Sequence, residues 1–193
     1  MNIQHLENER VRLSLLDLSN YAHIQHIASQ KDLVQYSPSN IATLEAFKDY
    51  VQTAVDGYYH KTCIPFIIFD KKNAAYAGST RFMNIDYNNK VIEIGSTWIG
   101  YEFQGTGLNK HMKFLMLNHA FEIMQFEKVA FKIDERNWRS RKAVEQLGAN
   151  LEGILRKNVY LLDGFKRNTC CYGILKEEWD VLKDTVFKAY STK

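Results

Sequence analysis

Three consecutive strand-like segments, separated by short polar turns, are the feature that most constrains how this chain can fold. The segments are CIPFIIFD (Cys63–Asp70), AAYAGSTRFMNI (Ala74–Ile85) and KVIEIGSTWIGY (Lys90–Tyr101), with polar turns at Asp70–Asn73 and Asp86–Asn89. Turns this short join antiparallel neighbours, because parallel strands need a long crossover connection. The sequence therefore predicts an antiparallel three-stranded meander in the middle of the chain.

After the meander, the apolar residues change to helical spacing. The apolar positions of this segment are Leu108, Met112, Leu115, Met116 and Ile123. Recurrence every three or four residues predicts an amphipathic helix. Lys110, Lys113 and Asn118 are expected on its other faces.

Alternating apolar residues predict further strands, and three-to-four spacing predicts further helices. The expected strands are Glu9–Asp17, Glu127–Asp134, Leu151–Leu161 and Asn168–Leu175, and the expected helices run from Ser19 or Asn20 to Ile27, Thr43–Tyr59, Asn137–Leu147 and Lys176–Tyr190. We therefore expect one α+β domain over residues 1–193. It consists of a meander, a strand–helix–strand unit, another helix, a terminal hairpin and a closing helix.

The composition fits a globular protein of the cytoplasm. Hydrophobic residues make up 46% of the chain and charged residues 24%, an ordinary balance. No apolar run reaches the roughly 18 residues of a membrane span, and no leader pattern begins the chain, so neither feature is expected. The net charge of +3 gives no reason to expect a nucleic-acid partner. Cys63, Cys170 and Cys171 are odd in number, which favours reduced thiols.

Gly105 and Gly107 stand directly before the long predicted helix, in the sequence QGTGLN. A helix start leaves about four backbone N–H groups unpaired and carries roughly half a positive charge. Because glycine has no Cβ, the backbone there can approach an anion closely. The stretch Gly105–Asn109 therefore suits a phosphate or pyrophosphate. A tight strand-to-helix turn that needs glycine dihedrals explains the same residues without a ligand.

The order of the motifs resembles the GNAT superfamily of acyl-CoA N-acyltransferases, and within it the ribosomal-protein N-terminal acetyltransferases of the RimJ/RimL type. The segments that carry the resemblance are LENERVRLSLLD, the strand EIGSTWIG, the loop Gln104–Asn109, the N-x-x-S of Asn137 and Ser140, LGANLEGILR and the late DGFKRN. The resemblance covers nearly the whole chain. It implies a GNAT-like α+β fold, with a central, mostly antiparallel sheet of six to seven strands flanked by helices, and acetyl-CoA as co-substrate.

The resemblance also implies a pyrophosphate loop. The family pattern is Q/R-x-x-G-x-G/A, which Gln104 and Gly107 match. Asn109 departs from it, since the family has glycine or alanine at this last position. The asparagine side chain crowds the phosphate side more than either of those residues does. The loop is still expected to bind the pyrophosphate through backbone N–H groups at the same location, and the sequence leaves the affinity open.

The pantetheine arm of the cofactor is implied to add alongside the strand that ends at Trp98–Gly100, which separates from its neighbour there. Asn137 is implied to hydrogen-bond that arm, and Ser140 to lie near the sulfur. The expected cofactor-binding residues are therefore Trp98, Ile99, Gly100, Gln104, Gly105, Thr106, Gly107, Leu108, Asn109, Asn137 and Ser140.

Glu93 and Ser140 are the candidates for the chemistry. Glu93 lies among apolar neighbours that favour a raised pKa, which suits a general base acting directly or through water. Alternation along the strand equally permits an outward-facing carboxylate. Ser140 is implied to give a proton to the leaving thiolate, because the tyrosine that many GNAT enzymes use is replaced here by Val144. Ordinary helix capping explains Asn137 and Ser140 without a ligand.

Two positions that often carry an acid in Rim-type enzymes are neutral here, in the segment Asn158–Tyr160 and at Asn168. These departures weaken the case for a ribosomal-protein acceptor. Tyr160 is expected in the core, with a contact to the acceptor as the alternative. Glu152 is expected to have either a catalytic or a structural hydrogen-bonding role. Aromatic residues near the loop Tyr36–Asn40 are expected to line an acceptor pocket, because loops carry specificity.

A basic cluster and a histidine pair complete the candidates. Arg139, Arg141 and Lys142 form either a solvated face or a contact for the 3′-phosphate of CoA. His23 and His26 lie one helical turn apart, but no further ligands join them, so we expect no metal site.

The sequence therefore predicts an acetyl-CoA-dependent N-acetyltransferase that moves an acetyl group to a primary amine by direct transfer. The acceptor is a protein N-terminus or a small amine. We expect a monomer or homodimer with neither nucleic acid nor membrane as partner. The alternative is a degenerate GNAT domain that binds CoA or a partner without turnover.

Overall fold

Eight strands form one mixed sheet in the order β1-β2-β3-β4-β5-β6-β8-β7 in the computed structural model, which describes residues 5–190. The strands are β1 (His5–Glu7), β2 (Val11–Leu15), β3 (Cys63–Asp70), β4 (Ala75–Asp86), β5 (Val91–Ile99), β6 (Lys128–Asp134), β7 (Asn150–Tyr160) and β8 (Lys166–Leu175). The helices are α1 (Gln25–Ala28), α2 (Leu44–Tyr59), α3 (Leu108–Asn118), α4 (Trp138–Glu145) and α5 (Lys176–Asp184).

The predicted meander is confirmed, because β3, β4 and β5 pair antiparallel in sequence order. All other neighbours are antiparallel except β5 and β6, which are parallel. The expected fold, a mostly antiparallel sheet flanked by helices, is confirmed.

The sheet has eight strands rather than six to seven, and the short hairpin of β1 and β2 is one source of the difference. The segment expected as one strand, Glu9–Asp17, contributes only β2. At its start, Asn8 Oδ1 accepts the backbone N–H groups of Arg10 and Val11, at 3.0 and 2.9 Å, and turns the chain back. With three residues, β1 is too short to show an alternating pattern.

Two helices cover opposite faces of the sheet. Arg81 of β4 stacks on the ring of Tyr50 in α2, with 3.8 Å between guanidinium carbon and ring centroid. The neighbouring Thr80 contacts Met116 Sδ of α3 at 3.6 Å. Successive side chains of a strand point to opposite faces. The sheet is therefore the middle layer between α2 and α3.

Two helices differ in their bounds from the sequence prediction. The first is a 3-10 turn, Tyr21–Ile24, followed by the single turn of α1. Asn20 does not cap it, because its carboxamide instead bonds Asp17 N–H and Leu15 C=O. The closing helix α5 stops at Asp184, after which the chain turns so that Phe187 packs on Trp179, at 5.6 Å between ring centroids.

The gap between β5 and β6 positions the site. Only Val91–Glu93 pair with Lys128–Ala130, although β5 continues to Ile99 and β6 to Asp134. The register of β5 against β4 also shifts near Ser96, whose φ of 46° is in the left-handed region. The two strands therefore part beyond Glu93 and leave their facing edges unpaired.

No helix within residues 5–190 combines the length and the apolar character needed to cross a membrane. Cys63, Cys170 and Cys171 are free thiols, as predicted.

Candidate functional site

A groove with two adjacent chambers opens where β5 and β6 part. The upper chamber, about 440 Å³, is lined by Glu93 and by the ends of both strands. The lower chamber, about 550 Å³, is lined by Gln104, Gly105 and Gly107. The residues common to both chambers are Leu33, Tyr36, Thr97, Trp98, Asn109, Asn137, Ser140 and Ala143. The chamber at the glycine loop and the chamber at the buried carboxylate are therefore adjacent and share one wall.

The glycine loop adopts a conformation that only glycine takes easily. Gly105 has φ of +76° and Gly107, the N-cap of α3, has φ of +87°. No atom lies within 4 Å of a Cβ built at either position. The turn explanation for these glycines is thus confirmed, and the open space in front of the loop is also what an anion site needs.

The carboxamide of Gln104 fixes the loop to the end of β5, because its Nε2 donates to Ile99 C=O at 2.8 Å. The guanidinium of Arg10 donates two hydrogen bonds to the Asp70 carboxylate, at 2.8 and 2.9 Å. It also contacts Thr106 Oγ1 at 3.4 Å. The loop is therefore held from both sides.

Three of the predicted cofactor-binding residues do not line either chamber. Gly100 donates its N–H to Ala77 C=O, Thr106 Oγ1 donates to Phe103 C=O, and the side chain of Leu108 is fully buried. The other predicted residues line the groove: Trp98, Ile99, Gln104, Gly105, Gly107, Asn109, Asn137 and Ser140.

Glu93 is buried at the point where the two strands part. It is 6% exposed, so the interpretation of an outward-facing carboxylate is wrong. Its Oε2 accepts a hydrogen bond from Asn84 Nδ2 at 2.9 Å and pairs with Lys132 Nζ at 3.0 Å. The carboxylate lines the upper chamber. Its role as a base stays a prediction.

Asn137 caps α4, since its Oδ1 accepts the backbone N–H of Ser140 at 3.1 Å. The capping interpretation is therefore confirmed. Both residues also line the two chambers, so capping leaves them facing the groove. Val144, at the position of the absent tyrosine, is buried and lines the upper chamber.

The basic cluster divides between the groove and the interior. Arg139 and Lys142 line the lower chamber. Arg141 instead donates to Tyr172 Oη at 3.0 Å and to Glu135 C=O at 3.1 Å. Only two of the three cations therefore line the groove.

The loop between α1 and α2 forms a wall of the upper chamber through Tyr36, Ser37, Pro38 and Ser39. Arg167 of β8 holds this loop, because its Nη1 donates to Tyr36 C=O at 2.8 Å. Burial lowers the pKa of Arg167. Sequence reasoning missed this residue, although it lies in the DGFKRN segment.

Sequence reasoning placed Lys113 wrongly. It was expected on a polar face of α3, but it is 5% exposed and lines the upper chamber. Its Nζ donates to Thr97 Oγ1 at 3.0 Å. Burial lowers its pKa from 10.5 to about 7. Its position next to Met112 and one turn before Met116, both fully buried, is the signal that was available.

The Rim-type positions on β7 and β8 lie outside both chambers. Tyr160 is 64% exposed, so its expected core position is wrong; β7 is the edge strand of the sheet. Glu152 pairs with Lys128 at 2.6 Å, and Asn168 bonds Glu135 Oε2 and Lys157 N–H. These contacts assign Glu152 and Asn168 structural roles.

No group of three or more histidine, cysteine, aspartate or glutamate side chains suited to a metal ion occurs in the described part of the chain.

Comparison with known proteins agrees with this geometry. The acetyltransferase (GNAT) domain model matches residues 10–150. A Bacillus subtilis (strain 168) protein named "Putative ribosomal N-acetyltransferase YdaF" is 31% identical over 108 residues, which are 56% of this chain. The match spans 58% of the length of that curated relative.

Solved structures share the whole fold. The crystal structure of a "putative acetyltransferase" from T. thermophilus has a TM-score of 0.85 and 31% identity, covering 98% of each chain. RimJ from Mycobacterium smegmatis, solved in complex with CoA-disulfide, has a TM-score of 0.76 at 20% identity, covering 87% of this chain and 83% of RimJ. At that identity the likeness to RimJ shows the fold alone. The domain match and these relatives confirm the resemblance found in the sequence, and the chain belongs to the GNAT acetyltransferase family.

Proposed function

We propose that this protein transfers the acetyl group of acetyl-CoA directly to a primary amine. The observation that carries the proposal is the pair of adjacent chambers where β5 and β6 part. A glycine loop at the start of α3 lines one, a buried carboxylate lines the other, and they share a wall. Acetyl-CoA would supply the activated acyl group as a thioester.

The lower chamber has the features needed to hold the CoA moiety. Backbone N–H groups at the start of α3 suit a pyrophosphate, and Gly105 and Gly107 leave space in front of them. Arg139 and Lys142 add positive charge to the same chamber. Beyond Glu93, the edge of β5 is not paired with β6, so its backbone is available to an amide-bearing arm.

The upper chamber has the features needed for the chemistry. A backbone N–H of β5 would stabilise the oxyanion that develops on the thioester carbonyl. Glu93 would take the proton from the acceptor amine, directly or through water. Ser140 would donate a proton to the leaving thiolate. Because Asn137 accepts only the backbone N–H of Ser140, the hydroxyl is left for this role.

The acceptor would enter the upper chamber past the loop that contains Tyr36. The B. subtilis relative is named as a ribosomal N-acetyltransferase, which supports a protein N-terminus as acceptor. A small primary amine fits a chamber of about 440 Å³ equally well. The proposed acceptor class is therefore a primary amine. We further propose that the protein acts in the cytoplasm, as a monomer or homodimer.

A GNAT domain that binds CoA without turnover is the second candidate. Asn109 favours it, because this residue lines both chambers at a position where the family pattern has glycine or alanine. The buried Glu93 favours the enzyme, since an ionisable carboxylate is not needed for binding alone.

The experiment is release of free CoA thiol from acetyl-CoA in the presence of a panel of primary amines, including peptides with free N-termini. The enzyme proposal expects acceptor-dependent thiol release and a matching acetylated product. Binding of acetyl-CoA without release for any amine would favour the second candidate.

A further inference from the structure

The amine of Lys113 lies inside the gap between the parted strands. Its Nζ donates to Thr97 Oγ1 on β5 at 3.0 Å and lies 5.9 Å from the ring centroid of Phe131 on β6. Thr97 Oγ1 in turn lies 2.7 Å from Thr80 Oγ1. The lysine therefore reaches from α3 to Thr97 near the end of β5, where it lines the upper chamber.

The charged side chains around Lys113 are occupied with other partners. On β5 and β6, Glu93 pairs with Lys132 at 3.0 Å, and Asp134 pairs with Arg136 at 2.8 Å. From β8, Arg167 bonds Tyr36 C=O and Thr169 Oγ1.

On α3 itself, Lys110 lies over the Phe187 and Tyr190 rings, and His111 lies 3.4 Å from Glu9. Within residues 5–190, no carboxylate lies within 4.0 Å of the Lys113 amine. Lys113 is therefore buried without a counter-ion among these residues.

Burial changes the chemistry of this amine. It lowers the pKa of Lys113 from 10.5 to about 7. About half of the Lys113 amines are then neutral at pH 7, whereas an ordinary lysine is neutral in roughly one molecule in three thousand. Only the neutral amine has the lone pair that attacks a carbonyl carbon. Lys113 thus resembles an acceptor amine in its protonation state.

The position of Thr97 relates this amine to the proposed reaction. Thr97 lines both chambers, so the Lys113 amine lies one hydrogen bond from their junction. If CoA occupies the lower chamber and Glu93 acts in the upper one, the thioester lies at this junction. The inference therefore rests on the proposed function.

We propose that Lys113 is a self-acetylation site, which accepts the acetyl group of bound acetyl-CoA when no acceptor amine is present. The Nζ–C bond forms and the C–S bond breaks, so the products are Nζ-acetyl-lysine and CoA. The proton that leaves Nζ ends on the sulfur as the CoA thiol. The acetylated side chain has no titratable amine and fills part of the upper chamber, which blocks the entry of another acceptor.

The test is incubation of the whole protein with acetyl-CoA between pH 6 and pH 9, followed by peptide mass spectrometry of each lysine. Acetylation of Lys113 should rise about tenfold from pH 6 to pH 8 and then level off, because a pKa of about 7 governs it. Lys72, an exposed lysine in a turn, is the control. Acetylation of an ordinary exposed lysine rises roughly 100-fold over the same interval, so acetylation outside the groove should show no plateau at pH 8.

Excess free CoA provides the second measurement, because it competes for the groove without any substitution. It should slow acetylation of Lys113 and leave that of Lys72 unchanged. Thermal unfolding with acetyl-CoA reports binding separately. A protein that acetyl-CoA stabilises, but in which Lys113 is acetylated no faster than Lys72, would overturn self-acetylation and leave the proposed function standing. Absence of stabilisation by acetyl-CoA would overturn both.

Discussion

Glu93 is a buried carboxylate whose surroundings give it two hydrogen-bonding partners and contact with the upper chamber. At the scale of single residues, the groove depends on a few such side chains. Sequence alternation identified Glu93 as a candidate but not its exposure, because alternation does not say which face of a strand is covered. Both faces of β5 are covered at this point, since Ile92 and Ile94 are buried as well.

Replacing Glu93 by glutamine should lower kcat/KM by roughly 100-fold or more, because the amide cannot accept the amine proton. The acidic limb of the rate–pH profile should flatten. Glu127→Gln is the matched control, since Glu127 is an exposed surface carboxylate paired with Lys90. An unaltered pH profile in Glu93→Gln would eliminate this residue as the base.

Ser140→Ala should lower kcat by about 10- to 100-fold and leave acetyl-CoA binding unchanged, because the variant removes only the proton donor. The cap bond from its backbone N–H to Asn137 survives the change. Ser29→Ala, at an exposed hydroxyl near the end of α1, is the control. Wild-type kcat in Ser140→Ala would rule out the acid role.

Lys113 shows what the sequence could not predict about single residues. Its side chain belongs to the buried side of α3, but a lysine among methionines is ordinarily assigned to solvent. The amine occupies space that exists because β5 separates from β6. This separation is a feature of the tertiary structure.

At the scale of elements, the helix caps connect stability with ligand binding. Thr43 caps α2 through its Oγ1, which accepts the N–H of Ala46 at 3.2 Å, and Asn137 caps α4 in the same way. Asn137→Ala and Thr43→Ala should each lower the free energy of unfolding by about 1 kcal/mol. Only Asn137→Ala should also weaken acetyl-CoA binding, because only that cap lines the groove. Equal acetyl-CoA affinity in the two variants would contradict a cofactor role for Asn137.

Most elements were predictable because their periodicity and caps are local. The meander, α2 and α4 agree with the sequence within a few residues, and α3 continues after Asn118 as a π-helical turn, His119–Ile123. The parting of β5 and β6 is different, since both strands continue with strand-like sequence after pairing ends. It was expected only through the family resemblance.

At the scale of the whole molecule, burial of Lys113 makes stability depend on pH. The folded-state pKa of about 7 lies below the unfolded value of 10.5, so the unfolded chain binds more protons between these values. The destabilisation is therefore complete below pH 7 and shrinks as pH rises. The contribution of Lys113 to the free energy of unfolding should rise by up to about 1.4 kcal/mol per pH unit.

Lys113→Met removes this titration and keeps an apolar stem of similar length. The variant should be more stable than the wild type by a few kcal/mol at pH 7, and the difference should shrink at pH 8 and pH 9. Urea unfolding at the three pH values measures it, with Lys72→Met as the control for loss of an exposed lysine. A stability difference that does not change with pH would contradict a depressed pKa at Lys113.

The overall fold was predictable to a large extent, because the order of the motifs identifies the GNAT family along nearly the whole chain. The exposure of Tyr160 on β7 was not, since a large aromatic side chain in a strand favours a core position. Position at the edge of a sheet is set by strand order, which a single segment does not encode.

The measurement that tests the central claim most directly is thermal unfolding with and without excess acetyl-CoA. At about 100-fold over its Kd, the ligand should stabilise the wild type by roughly 2.7 kcal/mol. Ala143→Trp should fold but lose this shift, because Ala143 lines both chambers and the larger ring fills their junction. Ala189→Trp, at an exposed position, should keep it. No shift in the wild type, or an equal shift in Ala143→Trp, would show that acetyl-CoA does not bind between β5 and β6.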